Sequence, residues 1–176
     1  VLLLTTDGFR DVLEIGTQRR DSLYSLRQTR PAPLVPRSMI VEVNERIDSF
    51  GEVVTKLTPA EIDRIVASAR ELRPEAIAIA LLFSYLNPLH EERLAEALRK
   101  ALPDTEVYLS HHINPQIEEY ARANTTAAAA YVGPAVREYL DTLQEGLERI
   151  ELRSLMLMRS DGGVATPAAT LANPGT

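Results

Sequence analysis

The chain has 176 residues, and 25 acidic side chains outnumber 19 Lys and Arg side chains, which gives a formal net charge of −6 at pH 7. This balance argues against a nucleic acid or an anionic membrane surface as a partner, because the long-range field has the wrong sign for phosphate. The absence of cysteine excludes a disulfide framework, a thiolate zinc site and a cysteine nucleophile, and it agrees with a cytoplasmic protein. No apolar run reaches the roughly 18 residues that a membrane helix needs.

The two ends predict that the chain is a piece of a longer polypeptide. It opens on an apolar run, Val1–Leu4, without an initiator Met and without the charged segment that begins a signal peptide. We expect this run to form a strand. We expect residues 173–176 to form a turn rather than the end of a helix.

The first 57 residues predict a strand, a short helix, a loop and a β-hairpin. Leu2–Thr5 is a strand candidate, and Phe9–Ile15 is a candidate for one or two helical turns. Residues 17–37 contain five arginines and three prolines, which predicts an extended, irregular connection. Alternating side chains over Met39–Arg46 and a second β-rich run over Glu52–Leu57 predict a hairpin with one buried face.

Residues 58–112 predict an α/β unit in which helices alternate with strands. A complete capping box at residues 58–61 predicts the start of the first helix. The run Ala76–Phe83 has no polar alternation, which is typical of a strand that is covered on both faces in a parallel sheet. A second helix that begins at Asn87-Pro88 and a strand over Glu106–Ser110 complete the unit.

Residues 113–176 predict a helical segment, a strand and a Gly-Gly turn that opens the next part of the fold. We expect a helix to begin at Asn114-Pro115 and to break or kink at residues 124–126, and we expect Pro134 to begin or bend the next helix. A strand over Leu155–Met158 precedes the turn. Together the three segments predict an α/β fold, with a mixed sheet, helices on both faces and a β-hairpin.

The turn Asp161-Gly162-Gly163 is a candidate ligand site. It follows an apolar strand, and a glycine pair lets the backbone approach a ligand while adjacent N–H groups hold an anion. A tight turn without a ligand is the favoured interpretation of the motif alone, because a lone glycine pair without the lysine and the spacing of a P-loop is weak evidence for a ligand.

Histidines follow another predicted strand, and ligands gather at the carboxyl ends of strands in α/β sheets. On a strand, His111 and His112 point to opposite faces and cannot share one metal ion. Solvated or capping roles are therefore favoured for both, as they are for His90 and Glu91 at a helix start. We identify no metal ligands.

Polar residues of the predicted third segment are further candidates. Glu118 and Arg122 are four residues apart on a helix, where they form an intrahelical ion pair or hold polar groups near a substrate. The hydroxyls of Thr125 and Thr126 bond either their own backbone or a ligand. The arginines of residues 17–37 fit phosphate binding, although a solvated loop is the simpler interpretation. No residue is identified as a nucleophile or a base.

Several segments, spread over nearly the whole chain, carry a family resemblance. They are Thr5–Gly16 (TTDGFRDVLEIG), Leu82–Glu91 (LFSYLNPLHE), Ile113–Arg122 (INPQIEEYAR), Thr125-Thr126, Ala130–Val132 (AYV) and Arg159–Val164 (RSDGGV). In sequence and in order, these segments resemble the hydantoinase A/oxoprolinase family.

The resemblance implies a fold similar to the actin and sugar-kinase ATPases and an ATP-dependent opening of a cyclic amide such as a hydantoin or 5-oxoproline. A phosphoryl group transferred to the amide oxygen makes the amide carbon a good electrophile. The resemblance also implies ATP with Mg²⁺ or another divalent metal, a partner subunit or domain of hydantoinase B type, and an oligomeric assembly. Related proteins activate ketones for carboxylation.

The chain departs from the family pattern in two ways. The family's two phosphate-binding loops lie outside these residues, so we expect the chain alone to hold no cofactor and to be inactive. Asp161 and Ala129 stand where the family has Asn, which leaves the substrate class open. The alternative is a non-catalytic α/β module that serves as an assembly surface in a ketone carboxylase complex.

The resemblance assigns expected positions to ten residues. Gly8, Arg10 and Asp11 are expected near the nucleotide. The remaining seven are expected to line an interdomain cleft or to form a turn that faces the ligand: Glu118, Arg122, Thr125, Thr126, Asp161, Gly162 and Gly163.

Overall fold

The computed structural model describes residues 1–17, 24, 31–150, 154–160 and 162–174. The strands are β1 (Leu2–Thr6), β2 (Ile40–Val43), β3 (Arg46–Ile47), β4 (Val53–Thr55), β5 (Ala76–Ala80), β6 (Glu106–Leu109), β7 (Leu157–Met158) and β8 (Val164–Ala165). The helices are α1 (Val12–Ile15), α2 (Pro59–Leu72), α3 (Leu89–Ala101), α4 (Ser110–Ile113), α5 (Glu119–Arg149) and α6 (Pro167–Ala172), and a 3₁₀ turn covers Arg37–Met39. Most of the predicted connection 17–37 lies outside the described residues.

Four strands form the central sheet in the order β2-β1-β5-β6, and all neighbouring pairs are parallel. Helices cover both faces, which confirms the predicted α/β class. The strands are buried on both sides: every residue of β1 and of β5 is buried. Among the described residues, no helix combines the length and the apolar composition that crossing a membrane requires.

Helices α2 and α3 pack on the face of the sheet that carries the larger side chains. Ile77 and Ile79 of β5 point to this face, where they join Ile65 of α2 and Leu94 and Leu98 of α3 in one core cluster. The predicted capping residue of α2 is confirmed because the Thr58 side chain accepts a hydrogen bond from the backbone of the third helical residue.

Helix α5 covers the opposite face, where small side chains allow a close approach. Alanines dominate both surfaces: Ala76, Ala78 and Ala80 of β5 share a core cluster with four alanines of α5, Ala123, Ala127, Ala129 and Ala130. Farther along α5, a Cβ atom added to Gly133 would lie 1.8 Å from the Tyr108 hydroxyl oxygen. Gly133 therefore makes room for the ring of Tyr108. Burial and the adjacent Glu106 raise the pKa of the Tyr108 hydroxyl.

The central sheet is parallel throughout rather than mixed, and the predicted hairpin is shorter than expected. Ile40–Val43 pairs with β1 in the central sheet, and only Arg46–Ile47 pairs with Val53–Thr55 as an antiparallel hairpin. The physical reason is that β2 buries both of its end residues in the central sheet. The chain must then turn at residues 44–45 before the hairpin begins, and an alternating pattern does not reveal such a change of partner.

A break at residues 124–126 and a helix start at Pro134 are both wrong, because α5 is one continuous helix of 31 residues with Pro134 inside it. It begins at Glu119 rather than at Asn114-Pro115. The threonines that suggested a break are accommodated because Thr126 donates its hydroxyl to the carbonyl of Arg122, one turn back. The packing of α5 on β5 and β6 outweighs the weak local preferences.

The close packing at Gly133 predicts the effect of a single methyl group. Gly133→Ala should lower the free energy of unfolding by about 1–3 kcal/mol, because the new Cβ meets Tyr108 and overpacking outweighs the gain in helix propensity. Gly146→Ala is the matched control: it lies in the same helix and has no atom within 4 Å of an added Cβ. Urea unfolding should show Gly146→Ala to be neutral or slightly stabilised. Equal stability of the two variants would contradict this account.

Candidate functional site

The carboxyl ends of β1, β2, β5 and β6 lie at one edge of the sheet, and a group of polar side chains is buried there. Open α/β sheets bind ligands at this edge, at the point where the strand order reverses, which here lies between β1 and β5. We call the group the carboxyl-edge network; its members are Thr6, Glu45, Ser84, His90, Glu91, Ser110, His111 and Arg122. Because buried polar groups are stable only when they are hydrogen-bonded, the partners of each member determine what the network does.

Thr6 and Glu45 connect the ends of β1 and β2 to helix α3. The Thr6 hydroxyl donates to Oε1 of Glu45 and accepts from the backbone N–H of Leu82 at 3.0 Å. The second oxygen of Glu45 lies 2.6 Å from Nδ1 of His90. Nε2 of His90 accepts from the backbone N–H of Leu57 at 3.4 Å. These bonds fix the ends of β1, β2 and β5 relative to the first turn of α3.

Glu91 connects the ends of β5 and β6 to the same turn of α3. Its Oε1 accepts from the N–H of Leu81 at 2.9 Å and from the hydroxyl of Ser110 at 2.6 Å. Its Oε2 accepts from the N–H of His111 at 3.3 Å and lies 2.6 Å from Nδ1 of that residue. Ser84 extends the network, with its hydroxyl 2.9 Å from that of Ser110. Four donors on one carboxyl group compensate for its removal from water.

Arg122 of α5 supports the loop that follows β5. The residue is 1% exposed, and its guanidinium donates to the carbonyls of Gln116 at 2.7 Å and Leu81 at 3.0 Å. The guanidinium also lies 5.3 Å from the centre of the Tyr85 ring. Burial lowers the pKa of Arg122, and the nearby charge of Glu91 opposes that shift. The guanidinium therefore holds the loop in place from the face of the sheet that α5 covers.

The loop after β5 contains a strained residue. Phe83 has a φ of +54°, a left-handed conformation that side chains with a Cβ rarely adopt. Its carbonyl accepts from the N–H groups of Leu86 at 2.9 Å and Asn87 at 3.1 Å, and its ring lies 6.2 Å from that of Tyr85. The bonds that the network makes to the preceding residues hold the strained conformation in place.

A polar cavity of about 540 Å³ lies beside the network, between the ends of β1 and β2 and helix α2. Its charged and polar lining residues are Asp7, Arg10, Glu42, Asn44, Glu61, Arg64 and Ser68. Glu61 does not close the predicted capping box with its side chain; it accepts from the N–H of Asn44 at 2.8 Å and pairs with Arg64 at 2.6 Å. The hydrogen bond from Arg64 lowers the pKa of Glu61.

Of the first group of predicted site residues, one lines this cavity and one bonds a residue that lines it. Gly8 has a φ of +86° and donates its N–H to Glu42 at 2.9 Å, and Arg10 lines the cavity. Asp11 pairs instead with Arg37 at 2.6 Å, and the hydrogen bond from Arg37 lowers the pKa of Asp11. The structure thus brings Gly8 and Arg10 together, whereas Asp11 lies outside the cavity lining.

The second group is divided between the interior and the surface. Arg122 and Thr126 are buried, whereas Glu118 and Thr125 are exposed. In place of the predicted ion pair with Glu118, the Arg122 side chain bonds backbone carbonyls. The difference arises because Arg122 is buried, and its guanidinium donates to the carbonyls of Gln116 and Leu81 instead.

The third group lies in the separate β7–β8 hairpin. Gly162 has a φ of +83° and donates its N–H to the carbonyl of Arg159 at 3.0 Å. The N–H of Arg159 in turn donates to Gly163 at 2.8 Å. These bonds account for a tight turn. Asp161 lies outside the described residues.

The predicted roles of the histidine segments are corrected by their burial. His90 and Glu91 are buried rather than solvated, and His111 is nine-tenths buried. His111 and His112 stand in α4 rather than on a strand, with ring centres 4.1 Å apart, so they do not point to opposite faces. Burial lowers the pKa of His112. Over the described ranges, no three His, Asp or Glu side chains are grouped so that they could hold a metal ion.

Sequence reasoning missed Thr6, Glu45, Ser84 and Glu91 as a connected set. The available signal was that Thr6 and Ser110 stand where two apolar strands end, at the edge where the ends of parallel strands converge. The partner of each was not predictable, because the hydrogen bonds join residues up to 76 positions apart.

The four donors on Glu91 predict that its charge is needed for stability. Glu91→Gln should lower the free energy of unfolding by about 2–5 kcal/mol, because an amide group presents a donor where only donors surround it. The exposed neighbour provides the control: Glu92→Gln should change stability by about 0.5 kcal/mol or less. Urea unfolding measures both, and an unaltered midpoint for Glu91→Gln would refute the proposed role of the charge.

The left-handed conformation of Phe83 predicts that a glycine variant at this position is more stable than an alanine variant. Phe83→Gly should be more stable than Phe83→Ala by about 1 kcal/mol, because both remove the ring but only glycine relieves the strain. Arg73, the other described residue besides glycine with a positive φ, should show the same order. Thermal unfolding of the four variants tests this, and a more stable alanine variant at position 83 would show that the strain is absent.

Comparison with known proteins places the chain in a family. Residues 1–102 match the hydantoinase/oxoprolinase N-terminal region, and residues 122–175 match the hydantoinase/oxoprolinase domain. The chain is 34% identical to caprolactamase subunit alpha of Pseudomonas jessenii over 93% of its own length and 24% of that protein. It is 31% identical to 5-oxoprolinase of Saccharomyces cerevisiae, over 92% of the chain and 14% of that protein.

Two further comparisons agree with the family match. The acetophenone carboxylase gamma subunit of Aromatoleum aromaticum is 30% identical, over 98% of the chain and 26% of that protein. The crystal structure of the ATP-dependent caprolactamase from Pseudomonas jessenii superposes with a TM-score of 0.85 at 32% identity, over 99% of this chain and 26% of that one. The chain therefore spans between 14% and 26% of the length of these relatives. The predicted membership of an actin-like ATPase fold is confirmed, and the chain belongs to the hydantoinase/oxoprolinase family.

Proposed function

We propose that the protein to which these 176 residues belong opens a cyclic amide in an ATP-dependent reaction. The observation that carries the proposal is the agreement of nearly the whole chain with the ATP-dependent caprolactamase, at a TM-score of 0.85 and 32% identity. A lactam is a cyclic amide, and 5-oxoprolinase is a second relative whose name indicates such a substrate. Hydantoins, 5-oxoproline and caprolactam are the candidate substrates.

In the proposed reaction, ATP supplies a phosphoryl group to the amide oxygen, which makes the amide carbon electrophilic. Water then adds to that carbon, the C–N bond breaks and the nitrogen takes a proton, which leaves an acyl phosphate. A second water attacks the acyl carbon, and phosphate leaves with the former amide oxygen to give the carboxylate product. The chain alone, which spans 14–26% of the relatives reported above, is proposed to be inactive.

The ten residues that the resemblance assigns are proposed to shape the carboxyl edge rather than to form bonds to the substrate. Gly8 and Arg10 border the polar cavity, and we propose that this side faces the nucleotide, with Asp11 behind it. Arg122 and Thr126 support the cleft from the interior. Exposed Glu118 and Thr125, together with the turn at Asp161, Gly162 and Gly163, are proposed to face the cleft or its ligand.

A divalent metal ion is an expectation that the family resemblance brings to the whole protein. The described residues do not supply a ligand set for one, so we derive no step through a metal ion here. The partner is proposed from the names of two relatives, which are an alpha and a gamma subunit. We propose a hydantoinase B-type partner subunit or domain, an oligomeric assembly and a cytoplasmic location. The division of the chain at residues 57 and 112 likewise stays a prediction.

The second candidate is an assembly module of a ketone carboxylase complex. It is supported by the similarity to the acetophenone carboxylase gamma subunit, which extends over 98% of the chain. In this case the carboxyl-edge network would stabilise a subunit interface without contributing to an amide reaction.

An ADP-release assay on the product of the complete gene, together with its partner subunit, distinguishes the two candidates. We expect ADP release that depends on a hydantoin, 5-oxoproline or caprolactam and that yields the ring-opened amino acid. ADP release that depends on a ketone with bicarbonate supports the carboxylase candidate instead. If no cyclic amide stimulates ADP release, the amidohydrolase proposal is wrong.

A further inference from the structure

The carboxyl-edge network contains two carboxylate–imidazole pairs that differ in one respect. In each pair, a buried Glu oxygen lies 2.6 Å from Nδ1 of a histidine: Glu45 with His90, and Glu91 with His111. Nε2 of His90 accepts a backbone hydrogen bond from Leu57. Nε2 of His111 is buried and has no hydrogen-bond partner among the described residues. Both ring nitrogens of His90 therefore have hydrogen-bond partners, whereas Nε2 of His111 has none among the described residues.

The surroundings of Glu91 determine which nitrogen of His111 carries the proton. The carboxyl group already accepts from the N–H of Leu81 and the hydroxyl of Ser110, so it faces His111 as an acceptor and Nδ1 must donate. Nε2 is then left with a lone pair. A carboxylate that orients Nδ1 while Nε2 stays free is the arrangement in which histidine acts as a general base.

Two side chains that reach the surface lie beside the free nitrogen, which is itself buried. Oε1 of Glu92, whose side chain is 57% exposed, lies 4.0 Å from Nε2, and the exposed ring of His112 lies against that of His111. The charged groups that face His111 are Glu91 and Glu92 from α3 and His112 from α4, while Arg122 of α5 acts on Glu91. For Nε2 to reach a ligand at the carboxyl end of β6, the side chains of Glu92 and His112 must therefore rotate away from it.

We propose that His111 is the general base that activates water in the amide-opening reaction, with Glu91 as its positioning residue; this rests on the proposed function. As the oxygen of water bonds to the activated amide carbon, its O–H bond breaks and the proton moves to Nε2. The same proton passes to the amide nitrogen as the C–N bond breaks, which returns the imidazole to its neutral form. Glu91 stabilises the imidazolium that exists between these two events.

The first test measures kcat, KM and their pH dependence with the complete protein and its partner subunit. His111→Gln should lower kcat about 100-fold or more while KM changes less than about threefold. It should also abolish the loss of activity at low pH, because that loss reports protonation of the base. His112→Gln and His90→Gln are the controls. Both should keep the low-pH limb, although His90→Gln should be less stable.

The second test does not depend on turnover. Diethyl pyrocarbonate acylates a neutral imidazole nitrogen that it can reach, so in the complete protein it should modify His111 and spare His90, as peptide mass spectrometry will show. If wild-type protein turns over a cyclic amide while His111→Gln keeps its kcat and its low-pH limb, the general-base proposal is wrong. An unmodified His111 also overturns it. If wild-type protein shows no turnover with any cyclic amide, the proposed function fails, and the general-base step fails with it.

Discussion

Two consecutive residues in the first turn of α3 tie together the carboxyl ends of all four central strands. His90 bonds Glu45, which bonds Thr6, and so reaches β2 and β1; Glu91 reaches the residues that follow β5 and β6. The carboxyl groups of Glu45 and Glu91 are both removed from water, and each is stable only while its hydrogen-bond donors remain in place. The geometry of the sheet edge therefore depends on satisfying two buried charges at once, and the loops at that edge have little freedom to move independently.

The two faces of the sheet explain how the backbone that follows β5 is held in place. Along β5, isoleucines point toward α2 and α3, whereas alanines point toward α5. The small side chains let α5 lie close to the sheet, so the guanidinium of Arg122 reaches the carbonyl of Leu81 from that side. Glu91 reaches the N–H of the same residue from the other side. The backbone after β5 is thus held from both faces, which is what allows Phe83 to keep a left-handed conformation.

Local patterns predicted the features that a single segment determines by itself, and they failed where a partner distant in sequence decides the structure. The apolar run of β5 and the Thr58 cap of α2 are properties of their own segments, so the sequence predicts both. Ile40–Val43 was assigned to a hairpin because its alternation does not say which strand it pairs with. The network was missed for the same reason: a His-Glu pair at a helix start looks solvated until the carboxyl ends of distant strands are packed around it.

The packing of α5 also bears on how the two family regions relate. The match to the N-terminal region ends at residue 102, and the second match begins at residue 122, yet α5 packs on β5 of the first region and on β6, which lies between the two matches. Arg122, the first residue of the second match, donates to a carbonyl of the first. The two regions therefore share one hydrophobic core, and a displacement of α5 would disturb the loop after β5 through that hydrogen bond. Any movement between the regions must consequently occur beyond the part of α5 that covers the sheet.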